Sequence, residues 1–80
     1  MWLVTQDRKS SINFNAVNFI EIQPNEVEFD LQINYLDNEW ADIGTYENEE
    51  RTKEILNEIV KAYATYISQK TGGVYYMPEK

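Results

Sequence analysis

Fourteen carboxylates, seven lysines and arginines and six tyrosines are the groups of this 80-residue chain that could do chemistry; histidine and cysteine are absent. Without imidazole or thiol, the commonest general base, the thiolate nucleophile and most zinc sites are excluded. Paired carboxylates can hydrolyse glycosides, and Glu28 with Asp30, or Asp37 with Asp42, are the pairs to weigh. A domain of this size, its sheet lidded by a helix, leaves little room for a sugar cleft, and each of these acids falls on a wet face or a turn. Asp37-Asn38-Glu39 with Asp42 offers oxygen donors but lacks the Gly and distal Glu of a calcium loop. Gly44-Thr45-Tyr46 has one lone Gly and no following Lys, so it is no phosphate loop; a strand Gly closely approached by the helix explains it better. The expectation is a non-enzymatic protein with no catalytic residue, no cofactor and no metal.

The placement of charge says more than its net value of −7. Between Lys9 and Arg51 stand ten carboxylates and no basic residue: Glu21, Glu26, Glu28, Asp30, Asp37, Glu39, Asp42, Glu47, Glu49 and Glu50. Such a field repels nucleic acid and anionic membrane and attracts basic proteins at a rate that salt reduces. It also serves simply as a solvated surface that keeps a protein dispersed. Lys and Arg are too scattered for a nucleic-acid groove. The start, Met-Trp-Leu-Val followed by Thr5, Gln6 and Asp7, is too short an apolar run for a signal peptide. No segment approaches the ~18 apolar residues of a membrane span, so a cytoplasmic location is expected.

The elements that must carry these groups are legible from periodicity. From Glu26 to Tyr35, Val27, Phe29, Leu31, Ile33 and Tyr35 alternate with polar residues, which predicts a strand with one dry face and Glu26, Glu28 and Asp30 on the wet one. Gln23-Pro24-Asn25-Glu26 predicts a tight turn that pairs Phe19 to Gln23 with that strand. Asp37-Asn38 turns the chain into a further strand, Trp40 to Tyr46. A two-residue loop there would set Trp40 opposite Tyr35 but bury Asp42. A three-residue loop buries Ala41 and Ile43 instead, and is favoured because it buries no carboxylate. Trp2 to Gln6 and Ile12 to Phe14 read as two shorter strands.

Asn48 is a good N-cap with Glu49 and Glu50 behind it, and Ile55, Leu56, Ile59, Val60, Tyr63, Tyr66 and Ile67 form one apolar stripe at helical spacing. Lys70 in the last turn and Gly72-Gly73 supply the stop. Val74 to Met77 then either adds a short edge strand or docks on a neighbour. Tyr75 and Tyr76 are adjacent, so they point to opposite faces of any strand and one is free to touch something else. The expected fold is a single α+β domain over residues 1–80: an antiparallel β-meander of about five strands (1–47), one long amphipathic helix (48–71) and an apolar tail (74–78).

Thr5-Gln6-Asp7 with Ile12-Asn13, Ile43-Gly44 and Tyr46, Glu49-Glu50-Arg51, Ile55-Leu56 with Ile59, and Tyr76-Met77-Pro78 form a pattern along nearly the whole chain. It resembles a family of short uncharacterised proteins from low-GC Gram-positive bacteria and their phages. That resemblance implies a compact α+β domain in a bacterial or phage cytoplasmic setting, and no activity. Thr52 departs from it where a smaller Ala is expected.

Two functions are open at this level. One is a protein-binding module, phage-borne by class analogy, whose acidic sheet face engages a basic, nucleic-acid-binding host protein as an inhibitor or modulator. Its contact residues would be Glu21, Glu26, Glu28, Asp30, Asp37 and Asp42, with Tyr75 and Tyr76. The other is a housekeeping or structural role in which the chain forms a homodimer through a sheet edge or the tail. Neither uses nucleic acid or membrane directly.

Overall fold

The computed structural model describes residues 1–70 and 73–80. Six strands and one helix follow in the order β1 (Trp2–Val4), β2 (Ser11–Asn13), β3 (Val17–Pro24), β4 (Phe29–Tyr35), β5 (Trp40–Tyr46), α1 (Glu49–Gln69) and β6 (Val74–Tyr76), with a 3-10 turn at Phe14–Ala16. They build two three-stranded sheets, β2-β1-β6 and β3-β4-β5, in place of the single five-stranded meander expected. The pairing is not all antiparallel, because β6 lies parallel to β1 with Trp2 opposite Val74 and Val4 opposite Tyr76. The tail thus adds an edge strand.

Within β3-β4-β5 the antiparallel hairpins form as the turn residues direct, but the first turn sits two residues downstream of Pro24. The Asn25 side chain accepts from the backbone N–H of Val27 and Glu28, at 3.0 and 2.7 Å, and this Asx turn takes residues 26 to 28 out of the strand. Val27 is 79% exposed as a result, and Glu26 and Glu28 lie in the turn instead of on the strand face. At the second hairpin Tyr35 N–H donates to Glu39 C=O, leaving three loop residues with Asn38 left-handed at φ 71°, so the three-residue loop is the one formed. Ala41 faces Ile33, and Asp42 faces Gln32 on the wet side.

The register then slips between Gln32 and Leu31, so Ile43 is the extra residue of a bulge and both Ile43 and Gly44 are buried. A Cβ on Gly44 would sit 2.9 Å from the Met77 methyl. The side chains of Met77 and Tyr46, not the helix, come closest to this glycine.

The core is one cluster: Leu31, Ile33, Ile43 and Tyr46 from the second sheet, Leu3 and Ile12 from the first, Ile55 and Ile59 from α1, and Met1 and Met77. Each fully buried side chain of this size contributes ~1.5 to 3 kcal/mol. Asn48 caps the helix by accepting from Arg51 N–H at 2.8 Å. Thr52 is fully buried, its hydroxyl donating to Asn48 C=O at 2.7 Å, so the position disfavoured by comparison with Ala is a satisfied capping contact. Not all of the apolar stripe is covered, since Val60 and Ile67 stay half exposed. The helix ends at Gln69 through Lys70, which itself adopts φ 59° and donates to Tyr66 C=O; the expected role of Gly72 lies outside the described residues. Among the described residues no helix is long and apolar enough to cross a membrane.

The two sheets are joined by Thr5-Gln6-Asp7. Gln6 N–H donates to Ile43 C=O at the bulge. Its side-chain amide accepts from Thr45 N–H (2.7 Å) and donates to the carbonyls of Thr45 (2.8 Å) and Glu79 (2.9 Å). One glutamine thereby occupies the outer edge of β5 as a strand residue would. Thr5 and Asp7 shape the following turn: the Thr5 hydroxyl donates to Asp7 Oδ1, which also accepts from Lys9 N–H. That backbone hydrogen bond, with the hydroxyl's, holds the Asp7 carboxyl below the usual carboxylate range.

Candidate interaction surface

The side of β3-β4-β5 turned away from the helix presents three cross-strand rows. Phe19, Asn34 and Trp40 form the first, Glu21, Gln32 and Asp42 the second, and Gln23, Asp30 and Thr45 the third. In the first row the rings of Phe19 and Trp40 meet edge to face, centroids 5.3 Å apart, while remaining 43% and 50% exposed. Asn34 lies buried beneath them. Its amide oxygen, turned to the indole, accepts from Trp40 Nε1 at 3.3 Å, and its nitrogen donates to Tyr35 C=O at 3.2 Å. A polar residue on the wet face is thus roofed by two aromatics, and the roof is the most apolar feature on that face.

Each carboxylate in the other rows is held by a neutral donor. Gln23 Nε2 donates to Glu21 (2.7 Å), Gln32 Nε2 to Asp42 (2.6 Å), and the Thr45 hydroxyl and Asn25 Nδ2 to Asp30 (2.7 and 3.1 Å). Among the described residues the ion pairs all lie on α1: Arg51 with Glu54 and Glu58, and Lys53 with Glu49. Glu21 and Asp42 lie two strands apart, roughly 9 to 10 Å at ordinary strand spacing. The face is therefore an array of oriented, uncompensated negative charge beside an aromatic pair, with polar groups that position the charge without neutralising it.

Of the residues singled out from sequence, Glu21, Asp30 and Asp42 share this face. Glu26 and Glu28 lie in the turn at one end of the sheet, and Asp37 in the loop at the opposite end, where its carboxylate accepts from Glu39 N–H. Tyr75 is half-buried and donates to Glu58 Oε1 at 2.9 Å. Burial, reinforced by that carboxylate, pushes its phenol far above the usual tyrosine value. Tyr76 is the free member of the pair, 62% exposed, with the Arg8 guanidinium 5.7 Å from its ring centroid. Phe19 and Trp40 were missed. Their signal was parity, since Phe19 keeps step with Glu21 and Gln23, and Trp40 with Asp42.

A concavity of about 710 Å³ lies elsewhere, at the helix N-terminus between Tyr46, Arg51, Glu54, Glu79 and Lys80, with Glu28 also lining it. The Arg51 guanidinium is committed to Lys80 C=O at 2.9 and 3.1 Å, and Asn48 already satisfies Arg51 N–H. Tyr46, at its back, donates to Pro78 C=O at 2.6 Å, and burial raises its phenol to about 12. A helix N-terminus favours anions, but the carboxylates that line this one repel them. Among the described residues no three acidic groups converge as a metal site needs. Comparison with family models, with curated proteins and with solved structures finds no match to the chain.

Proposed function

We propose that this chain is a non-enzymatic protein-binding module whose β3-β4-β5 outer face engages a basic surface on another protein. One observation carries the reading: Glu21, Asp30 and Asp42 are held in place by neutral donors and, among the described residues, form no ion pair, beside the exposed Phe19–Trp40 pair. Aromatics flanked by charge are the usual anchors of protein interfaces. A partner bringing Lys or Arg to this face supplies the missing countercharge, and its apolar centre meets the aromatic pair. Proteins with such basic surfaces commonly bind nucleic acid, so occupancy inhibits or modulates them by competition. The sequence resemblance to proteins of Gram-positive bacteria and their phages makes a host protein the partner to look for.

The test is retention of basic proteins from a Gram-positive bacterial lysate on the immobilised chain. Elution by moderate salt, and loss of the same proteins with Trp40→Ala or with Glu21→Lys and Asp42→Lys together, supports the reading. Equal retention by all three proteins overturns it.

A second reading is self-association through the first sheet. Its outer face sets Trp2 beside Val74 and Val4 beside Tyr76, with Trp2 and Val74 each 49% exposed. Light scattering across a concentration series, with Trp2→Ser and Tyr76→Ser as controls, decides it. Deleting the tail is no test, because Met77 belongs to the core.

A further inference from the structure

Among the described residues the outer edge of β3 is the longest strand edge that no other strand covers, and it borders the proposed binding face. The hydrogen bonds of the neighbouring turn fix which of its backbone groups are free. Asn25 N–H donates to Glu28 C=O at 2.9 Å, so residues 25 and 28 form a hydrogen-bonded pair. In an antiparallel ladder such pairs alternate with pairs whose N–H and C=O groups point outward. Counting back along the continuous register from Asn25, Gln23 and Glu21 turn their groups to β4, whereas Pro24, Ile22 and Ile20 turn theirs outward. Pro24, with no N–H, therefore stands where the ladder needs none, as edge strands allow. Ile20 and Ile22 offer outward N–H and C=O groups with no partner among the described residues.

The two sides of this edge differ in chemistry. On the outer side stand Phe19, Glu21 and Gln23. On the inner side Ile20 and Ile22 point toward the core, and a shallow groove of about 220 Å³ opens between β3 and α1, lined by the Val17 to Ile20 segment, whose Phe19 ring stands at the outer rim, with Phe14, Val60 and Tyr63. Half-exposed Val60 is thereby explained as the helix wall of that groove.

We propose that β3 is a strand-addition site, and that its occupant is an extended segment of the basic partner in which apolar residues alternate with Lys or Arg. This rests on the protein-binding reading above and names how the partner is held. An added strand places alternate side chains on opposite faces. One set falls into the groove beside Ile20, Val60 and Tyr63; the other lies beside Glu21, within reach of Asp30. Backbone pairing at Ile20 and Ile22 supplies register, and the two faces supply the sequence preference. A second copy is the poorer occupant, because antiparallel β3–β3 pairing brings the two Glu21 side chains onto one face and like charges across strands destabilise.

The experiment uses the intact chain and a synthetic octapeptide of alternating Val and Lys. Binding is followed by NMR, with amide hydrogen exchange read at each residue of β3. The expected result is slowed exchange at the Ile20 and Ile22 amides and binding that weakens at least about tenfold, or ~1.4 kcal/mol, when alternate peptide nitrogens are N-methylated or Lys is replaced by Glu. Ile22→Pro, which removes an outward donor, is expected to weaken binding similarly; where that variant fails to fold, the N-methylated peptide carries the same test. Undiminished binding of the methylated peptide, or unchanged exchange at both amides, overturns strand addition. If shifts at Glu21, Asp42 and Trp40 appear without protection of β3, strand addition fails while the protein-binding reading stands. Slowed exchange at Ile20 and Ile22 on concentrating the chain alone also overturns the assignment, in favour of a second copy.

Discussion

The two sheets have three strands each but are assembled by opposite routes. β3, β4 and β5 follow one another through short turns, so each pairing closes a small loop. In the other sheet β1 and β2 are near neighbours, but β6 returns from beyond the helix to pair Trp2 with Val74. Closing a longer loop costs more conformational entropy and rewards the chain only late in folding. The hairpin sheet is thus specified locally by turn residues and alternation. The first sheet depends on contacts that exist only once the rest has formed: Met77 against Gly44, and Gln6 along β5. Yet both share one hydrophobic cluster, which makes a single cooperative unfolding step the expectation.

The largest effect should come from the middle of that cluster. Leu31→Ala, at a fully buried position, is expected to lower stability by about 3 to 4 kcal/mol in urea unfolding. A tryptophan stands in each sheet, so Trp2→Phe and Trp40→Phe each leave one fluorescence probe, and the two midpoints should coincide in the Leu31→Ala background. Separate midpoints would mean that the sheets are independent units. Next comes Met77→Ala, expected at about 2 to 3 kcal/mol, because its methyl fills the space that Gly44 leaves open. Gln6→Ala should follow at about 2 kcal/mol, from three side-chain hydrogen bonds at roughly 0.5 to 1.5 kcal/mol each, less what water restores. Leu31→Ala tests the sheet that forms locally; the other two test the junction.

The same contrast explains what could be read from the sequence. The Phe29–Tyr35 alternation, the three-residue loop at residues 36 to 38 and the Asn48 cap are local, and each was legible. Val27 was misplaced because alternation continues through it, whereas the Asn25 side chain, capturing two backbone N–H groups, ends the strand pattern early. The parallel pairing of β6 left no mark in local sequence beyond a short apolar run. Gln6 illustrates the limit, since nothing near it in sequence announces a partner at Thr45. On the candidate face, the acids at 21, 30 and 42 were legible by parity. The aromatic pair was overlooked because large apolar residues are ordinarily assigned inward.

The buried phenols give the next effect in size. Tyr46 is raised to about 12 and Tyr75 further, against an unfolded value near 10. A raised phenol favours the protonated folded form, so its contribution is complete below pH 10 and is lost as pH climbs through the folded value. Urea midpoints should therefore hold steady to pH 9 and fall between pH 10 and 12. Because Tyr75 reaches across from β6 to Glu58 on α1, Tyr75→Phe should flatten that fall; an unchanged slope would mean that the phenol is not shielded.

The smallest effect separates the outer faces of the two sheets. Glu21, Asp30 and Asp42 repel one another across β3-β4-β5 and, among the described residues, form no ion pair, whereas the first sheet's outer face is apolar and carries Arg8. Salt near 0.15 M reduces the Debye length to about 8 Å, below the Glu21–Asp42 spacing estimated from two strand separations, and so screens this repulsion. Stability should therefore rise by a few tenths of a kcal/mol between low salt and 0.15 M, within the range of surface charge effects. Asp42→Asn keeps an oxygen to accept from Gln32 and removes the charge, so it should raise low-salt stability slightly and reduce the salt response. Tyr76→Ser on the other face should leave that response unchanged. If Asp42→Asn and Tyr76→Ser respond alike, the charge on the second sheet is already neutralised in solution, and the attraction it is argued to exert on a basic partner disappears with it.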